Sequence, residues 1–151
     1  MVNPMWKKFE STGENIEKHR MILMVSACLE HRKTLLRILE GLNLDVVISS
    51  SLVQATEFLA RQTTALIFCD ENLPDGTYHD LLVQRNSGQR IPPVVVAMRD
   101  SDWERYLEAI RRGAFDAIRR PFTPTDVELV LIHASRAEDP RAAYHVAAGS
   151  S

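Results

Sequence analysis

The chain has 151 residues, 45% of them hydrophobic, and 18 basic residues against 20 acidic ones leave a formal charge of −2. That length supports one core and one domain, and the balanced charge excludes a general attraction to nucleic acid or anionic membrane. No apolar run approaches the roughly 18 to 20 residues of a spanning helix, and residues 1–20 lack the apolar middle of a secretory signal, so a cytoplasmic location is expected.

The polar lead segment, residues 1–20, is read as flexible. Short β-branched apolar runs then alternate with helical patterns. Met21–Val25 reads as the first strand, and Leu35, Leu36, Leu39 and Leu42 recur at helical spacing after it. Val46–Ser49 is the second strand, and Ser51 with Gln54 has the spacing of a capping box opening a helix through Val53, Ala55, Phe58 and Leu59. Ala65–Cys69 is the third strand and Val94–Ala97 the fourth. Ser101 with Glu104 repeats the capping spacing ahead of Trp103, Leu107 and Ile110, and a weaker fifth strand covers Phe115–Ile118. Thr123 can cap, and Pro124 can occupy the first position of, a last helix running to about Arg136. Residues 137–151 have no strong periodicity and read as a flexible tail. Neither end is long enough to be an effector domain.

Strands apolar throughout need cover on both faces, which right-handed β-helix-β crossovers around a parallel sheet supply. The expected architecture is a three-layer α/β/α sandwich, with 21–136 as its domain. Cys28 and Cys69 lie in no metal-ligand or redox spacing and read as reduced, packed thiols.

In such sheets functional groups gather beyond the carboxyl ends of the strands. Those ends carry Ser26 and Ala27, then Asp70, then Met98, then Arg120. Asp70 closes the Ala65–Cys69 run and opens a Glu-Asn-Leu-Pro-Asp-Gly turn. An aspartate there can simply bond the turn backbone.

Several features together give the chain a resemblance to receiver domains of two-component response regulators. They are the Asp-x-x-Leu-Pro-Asp-Gly turn at Asp70, the Gly113-Ala114-Phe115-Asp116 segment, the Arg120-Pro121-Phe122 run, and the 15-position separation of Gly113 from Met98. The resemblance implies a flavodoxin-like fold with a five-stranded parallel sheet in order 2-1-3-4-5, and a cis peptide before Pro121. It also implies a domain that is not an enzyme and at most assists its own phosphoryl transfer, with Asp70 at the phosphoacceptor position.

The rest of the pocket departs from the family. The acidic pair that would help hold a divalent cation is Ser26 and Ala27, which leaves Asp70 and the Asn72 carbonyl, and magnesium affinity should fall. The switch hydroxyl is Met98, a thioether with no donor. The switch aromatic is Ala117, and the lysine is Arg120, whose planar fork can hold a carboxylate. The expectation is a pseudo-receiver acting by protein–protein contact, with a standing Asp70–Arg120 ion pair and no cofactor. The alternative is a live phosphoacceptor, with Glu30, Glu71 or Asp75 lending a carboxylate to Mg²⁺.

A partner, either a histidine kinase or an output protein, is expected on the face of the fourth helix, fifth strand and fifth helix, near Trp103, Tyr106, Arg111 and Ile118. A homodimer is a weaker expectation. Tyr78-His79, where the family has a glycine and an aliphatic residue, reads either as a surface altered for a partner or as neutral drift, with His79 a solvated helix-start side chain. Flavin-type phosphate binding lacks the glycines and hydroxyls it needs after the first strand. DNA binding through Arg111, Arg112, Arg119 and Arg120 lacks a wider basic field.

Overall fold

The computed structural model describes residues 21–88, 91–100 and 102–137. The expected flexible segments, 1–20 and 137–151, lie outside these residues except for Ala137, which the last helix includes. In chain order the elements are β1 (Met21–Val25), α1 (Leu29–Gly41), β2 (Asp45–Ser49), α2 (Leu52–Arg61), β3 (Leu66–Asp70), the two-residue strands β4 (Asn72–Leu73) and β5 (Gly76–Thr77), α3 (Tyr78–Asn86), β6 (Val94–Met98), α4 (Trp103–Arg111), β7 (Asp116–Arg119) and α5 (Pro124–Ala137). The main sheet is parallel, in the order β2-β1-β3-β6-β7, which is the expected 2-1-3-4-5.

Alternation along the central strands sends side chains into two cores. Ile22, Met24, Leu66, Phe68 and Val95 pack against Leu35 and Leu39 of α1 and against Val127, Val130 and Leu131 of α5. Leu23, Val25, Ile67, Val94 and Val96 pack against Ala55 of α2, Leu81 and Leu82 of α3 and Ala109 of α4. Every residue of β3 and β6 is buried, because each has a strand on both sides and helices on both faces. Edge strand β2 is half-exposed, with Ile48 open to solvent. The apolar run there reports strand propensity and not full burial.

Helix starts follow the local chemistry with two shifts. Ser51 Oγ accepts from Gln54 N, but Gln54 Oε1 accepts from Ser50 N, one residue earlier than a capping box requires. At α4 the cap is Asp102, which accepts from the amides of Glu104 and Arg105, so the expected Ser101–Glu104 box is replaced; Ser101 itself lies outside the described residues. The box the sequence pattern did not single out is Thr77 with Asp80, which opens α3. Thr123 Oγ1 accepts from Asp126 N at the start of α5, as expected, and the Arg120–Pro121 peptide is cis. Gly113, at φ +106°, ends α4 by turning the chain so that the Ala114 amide reaches Ala109 O.

The β4–β5 hairpin, also unforeseen, throws Asp75 across to the start of α2. Its two carboxylate oxygens accept from Leu52 N at 2.9 Å and Val53 N at 3.0 Å. Those two amide bonds, Leu52 first, hold the Asp75 carboxyl below the usual carboxylate range. A folded-state value below the unfolded one contributes stability that is present above about pH 4 and lost as the pH falls through the folded value. Asp75→Ala should therefore lower the melting temperature near pH 7, and the gap to the parent should close toward about pH 3. Thermal melts across that range check this, and a pH-independent gap would exclude the charge as its source.

Candidate functional site

Parallel pairing of β1 with β3 sets Val25 opposite Cys69, so the next residues, Ser26 and Asp70, leave the sheet side by side at its carboxyl edge. Both are buried, Ser26 at 1% and Asp70 at 6% exposure. Ser26 Oγ donates to Asp70 Oδ2 at 2.6 Å. A hydroxyl has one hydrogen, so the Cys28 carbonyl at 3.3 Å is not also served, while Oγ accepts from Cys28 N at 3.2 Å. The turn is fixed from α1, where Arg32 Nε donates to Ser26 O and its terminal nitrogen to Ser50 Oγ, both at 2.7 Å.

The second Asp70 oxygen belongs to a residue that sequence reasoning missed. His31, in the first turn of α1 and only 4% exposed, places Nδ1 3.0 Å from Asp70 Oδ1. A carboxylate only accepts, so this bond puts a proton on Nδ1. The ring meets Phe122 edge-to-face at 5.4 Å, and Nε2 has no hydrogen-bond partner among the described residues. The available signal was helical spacing, since His31 and Leu35 fall four apart on the buried stripe of α1.

The expected Asp70–Arg120 ion pair does not form. Arg120 turns outward and gives its terminal nitrogens to Glu30 Oε2 at 3.1 and 3.3 Å, because His31 already occupies the carboxylate. Glu30, Glu71 and Asp75, the proposed substitute ligands, are all engaged elsewhere. Glu71 accepts from Arg99 N and is held bidentately by Arg105 at 2.5 and 3.0 Å; the Arg105–Glu71 hydrogen bond, ahead of the charge itself, raises the Arg105 pKa. Asp75 caps α2.

A cleft of about 280 Å³ lies over Asp70, lined by Ala27, Cys28, His31, Glu71, Asn72 and Arg99 among others. Asn72 and Ala27 are thus where the sequence placed them. Cys28 is half-buried at the same rim, whereas Cys69 is fully buried, and burial followed by the Asp70 charge pushes its thiol far above the ordinary range. Met98 and Ala117 do not line this cleft. They line a separate groove of about 440 Å³ between α4, β7 and α5, with Trp103, Tyr106 and Ile118. Arg111, expected on that face, is not among its lining residues. Burial, then Asp116, whose carboxylate accepts from the Tyr106 hydroxyl, pushes the Tyr106 pKa up.

Tyr78 is not a partner surface. It is 6% exposed and belongs to the second core, while His79 packs edge-on against it, its pKa lowered by burial and then by Arg112.

The magnesium ion implied by the resemblance does not fit these residues. Asp70 gives its two oxygens to Ser26 and His31, Ala27 has no donor atom, and among the described residues no three His, Cys, Asp or Glu side chains converge as a ligand set. Among the described residues no helix is long and apolar enough to cross a membrane.

No protein-family model matches the chain, and no curated protein matches it. Its fold is that of response regulator receiver domains. The signal receiver domain of a Vibrio parahaemolyticus protein assigned as a Luxo repressor superimposes with a TM-score of 0.69 at 22% identity, over 79% of this chain and 95% of that one. A two-component response regulator from Clostridium difficile gives 0.69 at 18% identity, over 79% and 98%. The receiver domain of Francisella response regulator 1452 gives 0.69 at 18%, over 78% and 98%.

A double-mutant cycle on His31→Ala and Asp70→Asn tests the Asp70 cluster. Each variant alone should destabilise the fold, with a coupling of about 1.5–3 kcal/mol in urea unfolding. Additive effects would mean that the hydrogen bond carries no free energy.

Proposed function

We propose that this chain is a pseudo-receiver, a signalling module that docks another protein without a phosphorylation cycle of its own. The observation that carries this reading is the internal satisfaction of Asp70. Each of its oxygens accepts a hydrogen bond from inside the fold, from Ser26 and from His31, so the carboxylate serves the fold as a structural anion and not as a poised nucleophile. Phosphoryl transfer to it would bring a second anion against Asp70 with no divalent cation held between them, and the guanidinium residue lining its cleft, Arg99, is exposed.

The docking surface in this reading is the α4-β7-α5 groove. Its floor is apolar, with Met98, Ile118 and Val130, and Trp103 stacks on Tyr106 at 5.4 Å with 68% of its surface exposed. Asp100, Asp102, Asp116 and Asp126 line it against Arg119 and His133. Charge complementarity selects a basic amphipathic segment of a partner protein with one apolar anchor. A two-fold homodimer through this face would set the same acidic patches against each other, so the chain should be monomeric at this surface. With a cationic amphipathic helical peptide as probe, Trp103→Ala should weaken binding about tenfold or more. Self-association in sedimentation that is lost in Trp103→Ala would replace the peptide with a second copy of the chain.

Acetyl phosphate or beryllofluoride, with and without Mg²⁺, should leave the intact mass of the protein unchanged. An adduct absent from Asp70→Asn would establish the live phosphoacceptor instead. Ser26→Asp combined with Ala27→Asp should lose stability from carboxylate repulsion in metal-free buffer. Millimolar Mg²⁺ should restore about 2–3 kcal/mol to that variant, the gain expected near 100-fold saturation, and shift the parent melt little. Equal Mg²⁺ responses in the two proteins would overturn the reading.

A further inference from the structure

A second cleft, of about 430 Å³, adjoins the first at His31 and Arg99, which line both, but does not include Asp70. Its other lining residues are Glu30, Thr34, Arg120, Pro121 and Phe122. Its polar side chains are donors in excess. The exposed Arg99 side chain makes no hydrogen bond or ion pair among the described residues, and the residue lines both clefts. Arg120 spends both terminal nitrogens on one oxygen of Glu30 and keeps a buried Nε unpartnered. His31, 96% buried, lines the same cleft, and with its proton on Nδ1 its Nε2, unpartnered among the described residues, accepts rather than donates. Helix α1 begins here without a side-chain cap, since Cys28 supplies none, so the positive end of a 13-residue helix also faces this region.

Two guanidiniums against one carboxylate leave the cleft net positive. Glu30 is the one anion among its lining side chains, and its side chain is 81% exposed, so it can leave Arg120 at little cost. We infer that the cleft binds a small phosphate-bearing anion non-covalently, clamped between Arg99 and Arg120 beside His31, with Glu30 as the internal competitor it displaces. Planar guanidinium forks match the oxygens of a phosphate group bidentately, and the paired charges favour a dianion over a monoanion. The site uses no metal and forms no bond to Asp70. It goes beyond the docking reading and does not depend on it.

Titration of the whole chain with inorganic phosphate and, separately, with glycerol phosphate at constant ionic strength tests this, read by NMR correlations of the arginine and histidine side chains. Saturable shifts at His31 and Arg99 are expected. Arg99→Gln and Arg120→Gln should each weaken binding about tenfold, the loss of one charge-assisted bond, and Glu30→Gln should tighten it several-fold. Tighter binding of glycerol phosphate than of phosphate identifies a phosphorylated metabolite as the ligand; the reverse order identifies free phosphate. Absence of saturable binding in both the parent and Glu30→Gln overturns the inference, as does an affinity indifferent to Arg99→Gln. The acetyl phosphate mass measurement reads Asp70 alone, so failure of the docking reading and failure of this site are separable.

Discussion

A buried carboxylate has to be satisfied by the fold or paid for by it, and Asp70 is satisfied twice, by the Ser26 hydroxyl and by His31 Nδ1. Leaving such a group unpaired costs several kcal/mol, so the arrangement ties together the elements that supply its partners. The β1–β3 pairing brings Ser26 alongside, α1 must begin where His31 can turn inward, and Arg32 from the same helix locks the Ser26 turn. The carboxyl edge of the sheet is therefore organised around an anion that the protein neutralises from within.

Around that centre the rim charges are matched locally. Glu71 is held by Arg105, Asp75 by two amides of α2, and Arg120 by Glu30. Each pairing commits a carboxylate to a partner other than Asp70, and among the described residues no three His, Cys, Asp or Glu side chains converge there. Arg99 is left over on the positive side, and its position at the shared wall of the two clefts moves the attraction for an anion away from Asp70 toward α1 and Arg120.

The separation of Met98 and Ala117 from the Asp70 cleft bears on signalling. Both contribute apolar surface to the α4-β7-α5 groove, and the hydrogen bonds of Asp70 run to β1 and α1 instead. The groove is thus shaped by packing and by acidic side chains, and Arg105 joins it to the rim of the Asp70 cleft by pairing with both Asp100 and Glu71.

The strand order, the helical crossovers and the placement of Asp70, Ser26, Ala27 and Asn72 at one edge were legible in the sequence. Apolar runs of strand length and helix-period stripes report burial directly, and the Gly113 and Arg120-Pro121-Phe122 landmarks set the register between them. Which charges would meet was not legible, because ion pairing depends on side-chain direction and on what already fills the space. Arg120 and Asp70 both stand near the carboxyl edge, yet His31 bonds Asp70 and Arg120 reaches Glu30, 90 positions away in sequence. Tyr78 likewise read as surface and folds into the core, because the β4–β5 hairpin ahead of it sets the entry of α3. One-dimensional patterns record which residues prefer burial; only the closed sheet, with α1 laid against it, decided which buried donor reached the buried acceptor.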